Sequence, residues 1–70
     1  MAVYIVNSNA QSSGGEHEVH RLDTCKRLPD SINRVQLGEF ASCAPAVVKA
    51  KTIYPNSDGC WYCCVECHKK

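Results

Sequence analysis

Aromatic side chains are scarce in this chain of 70 residues: one Phe, one Trp and three Tyr. A core of that size supplies only about 3–5 kcal/mol by itself, so the sequence predicts a further staple. No apolar run approaches the length of a membrane span. The opening MAVYIVNSNAQ carries neither a charged leader nor a long apolar stretch, so no secretory signal is predicted. An excess of one charge is missing too. Eight basic against seven acidic residues leave +1, which neither advertises nor excludes a polyanionic partner. The chain shows no nucleophilic triad and no clearly spaced carboxylate pair. Its SSGG stretch is too short, and too far from a helix start, to cradle a phosphate. No catalytic residue is assigned on these grounds.

Cysteine is what the chain has. Of its six cysteines, four lie with a histidine in the nine positions from Cys60 to His68, in GCWYCCVECHKK. Without a leader, the expected compartment is reducing and cytoplasmic, and clustered cysteines there bind metal more often than they pair. Two C-x-x-C pairs overlap in the tail, Cys60 with Cys63 and Cys64 with Cys67. Two intervening residues let one turn bring both sulfurs to a single point, and Zn2+ completes a tetrahedron with four N or S ligands.

The other half-site is read from HRLDTC. His20 stands near the end of an expected strand and Cys25 in the turn after it. The preferred ligand set is therefore His20, Cys25, Cys60 and Cys63. Gly59 directly before Cys60 frees the backbone to turn toward the metal. Were the tail wholly helical, Cys60, Cys63, Cys64, Cys67 and His68 would share one face, making Cys64, Cys67 and His68 alternative ligands. Cys64 and Cys67 could equally pack as small hydrophobes. Cys43 is expected to be a buried small hydrophobe, and a disulfide from it to a tail cysteine stays open as an alternative.

The remaining pattern predicts an α+β domain over residues 1–70, with three short antiparallel strands, one helix and a Cys-rich terminal turn or helix. Strands are expected at Val3 to Val6, Glu16 to Leu22 and within NRVQLGEF, with Gly38 a breaker and NSNAQSSGG a hairpin loop. Alternation puts Glu18 and His20 on one face of the second strand and His17 on the other, so His17 reads as a surface residue. SCAPAVVKAKTIY reads as a helix capped by Ser42, with Cys43, Ala46, Val47, Ala50, Ile53 and Tyr54 on its apolar stripe. NSDG reads as a tight turn. Of Trp61 and Tyr62, one is expected to pack on the sheet; an exposed ring could instead stack on a nucleic-acid base. Lys26 and Arg27 are read as local compensation for an anionic zinc–thiolate site.

A strand, HRLDTC, another strand, a helix, then glycine before C-x-x-C resembles the Ada-type zinc-binding module of bacterial alkylation-repair proteins. The resemblance runs from about Val3 to Cys67. It implies zinc ligation by Cys25 and one terminal C-x-x-C, with His20 in place of a family cysteine. It also implies a metal-activated Cys25 as a methyl acceptor on nucleic acid. The expectation drawn from all of this is a structural zinc domain that serves interactions, with a protein or nucleic-acid partner and no membrane association.

Overall fold

The computed structural model describes residues 1–10 and 14–69, so the middle of the expected NSNAQSSGG loop lies outside the described residues. The β-branched and aromatic run at the start forms β1 (Ala2–Asn7), and it becomes the centre of the sheet. The antiparallel partner β2 (His17–Arg21) pairs Ile5 with His20 and Val6 with Val19. β3 (Arg34–Phe40) pairs antiparallel with the other edge of β1. A fourth strand, β4 (Ser57–Gly59), runs parallel to β2, giving the order β3-β1-β2-β4. The domain is thus α+β, with one more strand than the sequence predicts. Residues expected to make only a tight turn, Ser57 to Gly59, extend the sheet instead.

Gly38 does not break β3. Tyr4 stands opposite Gly38 while Ile5 stands opposite Gln36, so Leu37 is the extra residue of a bulge. Gly38 holds a φ of 112°, which other residues rarely adopt, and Leu37 is buried at the bulge.

The helix α1 (Cys43–Lys51) begins after Ser42, as expected, though without a capping hydrogen bond from the Ser42 side chain, and buries Cys43, Ala46, Val47 and Ala50. That spacing is one face of a helix. The stripe meets Ala2, Tyr4, Val6 and Val19 from the sheet, with Cys60 and Cys64 from the tail. Fully burying Val6 or Val19 contributes about 1.5–3 kcal/mol. Small side chains on α1 let it lie close, but they limit the area buried.

Two readings of this region need correction. The helix stops at Lys51, so Ile53 leaves the stripe and is exposed. His17 is half-buried rather than on the surface: its ring stacks on Tyr54 with centroids 4.0 Å apart, and its Nδ1 lies 2.9 Å from the carbonyl of Asn7. No helix among the described residues is long and apolar enough to cross a membrane.

Candidate metal centre

The position of the centre follows from the parallel pairing of β2 with β4. Val19 stands level with Gly59, so the next residue, Cys60, falls beside His20. The Cys60 amide donates to the Val19 carbonyl at 2.9 Å and fixes that register. From there the chain turns through Trp61 and Tyr62, closed by the Cys64 amide donating to the Cys60 carbonyl at 3.0 Å. This turn presents Cys63 to the end of β2. On the other side the chain leaves β2 through a turn in which the Cys25 amide donates to the Arg21 carbonyl at 3.1 Å. That turn folds Cys25 back over His20.

Four ligand atoms converge as a result: one ring nitrogen of His20 and the sulfurs of Cys25, Cys60 and Cys63, all within 4.8 Å of one another. His20 Nδ1 lies 3.4 Å from Cys25 Sγ and 4.0 Å from Cys63 Sγ, and Cys25 Sγ lies 3.8 Å from Cys60 Sγ. A tetrahedral zinc with ordinary bond lengths has edges of about 3.8 Å between sulfurs and about 3.5 Å between nitrogen and sulfur. The cluster has the dimensions of such a shell. His20 is 1% exposed and Cys60 also 1%, while Cys63 sits nearer the surface.

The surroundings suit thiolates. Each of the three sulfurs receives a backbone N–H: Arg21 donates to Cys63 at 3.2 Å, Arg27 to Cys25 at 3.4 Å and Tyr62 to Cys60 at 3.4 Å. Two of these donors lie two residues beyond the cysteine they serve, the arrangement a tight turn creates around a sulfur. On the far side of the His20 ring, Nε2 lies 3.9 Å from Glu18 Oε1. At that distance the carboxylate acts through its charge, favouring a proton on Nε2 and Nδ1 as the ligand atom.

Without a metal the same crowding keeps the three thiols protonated. Contact with the Cys63 thiol, followed by burial, pushes Cys60 up to about 11. The Cys60 thiol pulls Cys63 down, but contact with Cys64, burial and contact with Cys25 outweigh it and carry Cys63 up to about 12. Burial raises Cys25 as well. A divalent ion binding here has to displace those protons, and in return it provides the positive charge the buried sulfurs lack.

The alternative ligands go elsewhere. The tail is not a helix; only Val65–Cys67 forms a short 3₁₀ turn. Cys67 is joined to Cys43 in a disulfide, so neither sulfur can ligate a metal and Cys43 is not simply a buried hydrophobe. His68 turns away, with Nδ1 3.0 Å from the Gly59 carbonyl and 3.5 Å from Asp58 Oδ2. Cys64 is a free thiol with no exposed surface, packed in the core, and contact with Cys63 lowers its pKa.

Gly59 has a different role from the one expected. A Cβ there would stand 2.6 Å from the Cys64 carbonyl oxygen and 2.7 Å from Cys67 Cβ. The residue is glycine because the tail doubles back against it. Asp58 secures the return, with Oδ1 and Oδ2 accepting the Lys69 amide at 2.9 and 3.0 Å.

Trp61 and Tyr62 also differ from expectation. Neither packs on the sheet; they are 58% and 59% exposed. The Arg27 guanidinium lies over the Tyr62 ring, 4.2 Å from its centroid, and donates to its hydroxyl at 2.7 Å. Sequence alone gave no signal for this stack.

The molecule therefore holds a His/Cys cluster able to coordinate a metal ion, beside a disulfide that closes the same tail onto the helix. No protein-family model matches the chain, and no curated protein or solved structure matches it.

Proposed function

We propose that the chain is a small structural zinc-binding domain, with Zn2+ held by His20, Cys25, Cys60 and Cys63, that presents the aromatic turn between its last two ligands to a partner. The observation that carries this reading is the convergence of one imidazole nitrogen and three sulfurs, each sulfur served by a backbone N–H. Four protein ligands close the shell, leaving no position for a reacting water, so the metal acts on the fold rather than on a substrate. The soft sulfur-rich donor set suits zinc over magnesium or calcium, which take oxygen. The disulfide adds a second clamp, and a bond of this kind persists best in oxidising surroundings.

Native mass spectrometry of the disulfide-bonded chain tests the reading. One zinc per chain is expected, lost on chelation and lost in Cys60→Ser. A chain that takes up no zinc refutes it.

One observation favours a second reading, the methyl acceptor implied by the Ada-type resemblance. The sulfur-bearing residues Cys25 and Cys63 line a surface cavity of about 380 Å³ together with Thr24, Lys26 and Tyr62. There a zinc-held Cys25 thiolate would attack the methyl carbon of a phosphotriester, the C–O bond would break, and the phosphodiester would leave. Intact mass after incubation with methylated DNA tests it; an unshifted mass removes it.

A further inference from the structure

Beside the cluster, lined by two of its members, His20 and Cys60, lies a cleft of about 560 Å³. Its lining also includes Asn7 and Glu18 from the sheet, and Arg27, Trp61 and Tyr62. A cleft of that volume accommodates a side chain together with its flanking peptide. Charge decides what kind. Zinc with three thiolates carries one net negative charge, and Glu18 adds a second. Arg27 is the one lysine or arginine among the described lining residues, and it is engaged with the Tyr62 ring and hydroxyl. The Arg27 stack also shows what this turn accepts: a cation laid on an aromatic face. Trp61, a stronger cation–π partner than Tyr, stands next to it, more than half exposed and meeting the His68 ring edge-on with centroids 5.2 Å apart.

We propose that this cleft binds a cationic side chain, lysine or arginine, of a partner polypeptide, between the Trp61 ring and the anionic base formed by Glu18 and the metal site. The proposal rests on the zinc reading, because the bound metal–thiolate group supplies half of the negative charge. A single-stranded nucleic acid could also stack on Trp61, but its phosphates would approach that same anionic base.

The zinc-loaded, disulfide-bonded chain, with metal content measured on the same sample, is titrated with a hexalysine peptide. A glycine–serine peptide and a single-stranded oligothymidylate are titrated in parallel. Trp61 is the only tryptophan and reports occupancy through its emission. Saturable binding of hexalysine that weakens with salt is expected, with neither control binding as well. Trp61→Ala, followed by calorimetry, lowers the affinity by about 2–5-fold. Arg27→Ala is the discriminating variant. It keeps the backbone N–H to Cys25, removes the competing cation and exposes the Tyr62 face, so hexalysine binds more tightly by about 2–5-fold. A site for nucleic acid would respond with weaker oligothymidylate binding. Preferential oligothymidylate binding, an unchanged or weakened hexalysine affinity in Arg27→Ala, or no hexalysine binding by chains that each hold one zinc overturns the cleft proposal alone. Failure to hold zinc overturns the metal reading, and this proposal with it.

Discussion

Two C-x-x-C pairs stand side by side in the tail, and the fold treats them differently. Cys60 and Cys63 sit in a turn that opens onto His20 and Cys25, the Cys60 sulfur accepting the Tyr62 amide of the turn and the Cys63 sulfur the Arg21 amide at the end of β2. Cys64 and Cys67 flank the next turn, yet one is a buried free thiol and the other is bonded to Cys43 on the helix. The motif is the same, so the motif does not decide the chemistry. What decides it is what lies opposite: a strand end with a histidine and a cysteine for the first pair, the start of α1 for the second. The two devices also hold different parts of the structure. The cluster ties the tail to β2 and its following turn, while the disulfide ties it to the helix.

The comparison breaks most visibly if the metal is removed. Zinc binding in small domains contributes about 10–16 kcal/mol, more than a core with this few aromatics offers. Exhaustive chelation should abolish dispersed amide resonances in the NMR spectrum when the disulfide is also reduced. Persistence of a fully ordered chain with every thiol free would remove the metal from its central role. Reducing or deleting the disulfide alone, as in a Cys43→Ala, Cys67→Ala pair, should cost less. Its cysteines are 24 positions apart, and closing a loop of that size contributes about 3–4 kcal/mol. Denaturant melts of the zinc-loaded variant should show a lower midpoint but an intact transition. If the loss equals that of metal removal, the two clamps are one cooperative unit rather than two.

Most of this arrangement was legible from residue types and spacing. Alternation in EHEVHRL placed Glu18 and His20 on one strand face, and the turn chemistry of DTC brought Cys25 near. The stripe of Cys43, Ala46, Val47 and Ala50 fixed the helix face. The misses share a cause: they depend on contacts, most of them between segments far apart in the chain, that residue spacing does not show. β4 is three residues, Ser57 to Gly59, with none of the β-branched or aromatic residues that mark a strand; it pairs because β2 offers it a free edge. The tail reads as helical by periodicity, but Gly59 must lie against Cys64 and Cys67, and that doubling back excludes a continuous helix. The Cys43–Cys67 bond was one of many pairings, and only the packing of α1 on the tail selects it. Trp61 and Tyr62 stay outside because small helix residues and cysteines fill the space that an aromatic would have taken.

A finer test concerns what supports the cluster from behind. Glu18 faces His20 Nε2 at 3.9 Å, with room in the adjoining cleft for a bridging water. Glu18→Gln keeps shape and hydrogen bonding but removes the charge that favours the ligating tautomer. Zinc affinity, measured by competition with a chromogenic chelator, should fall by about 10–100-fold, the usual effect of losing an outer carboxylate. The disulfide region should be untouched, since that bond ties the tail to α1 and not to β2. An unchanged affinity would mean that packing alone orients His20.

The most gradual expected effect separates the two regions by pH, because a disulfide does not titrate and a thiol cluster does. In the metal-free, disulfide-bonded chain, Cys25, Cys60 and Cys63 hold their protons to higher pH than free cysteines, up to about 11 for Cys60 and about 12 for Cys63. Above the ordinary thiol value of 9.0 the unfolded chain has lost those protons while the folded chain retains them. The folded state then binds more protons, so stability falls as pH rises from about 9 toward 11, opposed only in part by Cys64, whose value is lowered. Zinc reverses the sign at lower pH: its binding expels the thiol protons, so the loaded chain loses metal, and with it stability, as the solution is acidified. Melting midpoints of the two forms should therefore slope in opposite directions with pH. Parallel slopes would show that the sulfurs of the first C-x-x-C, like those of Cys43 and Cys67, carry no exchangeable charge in the folded chain.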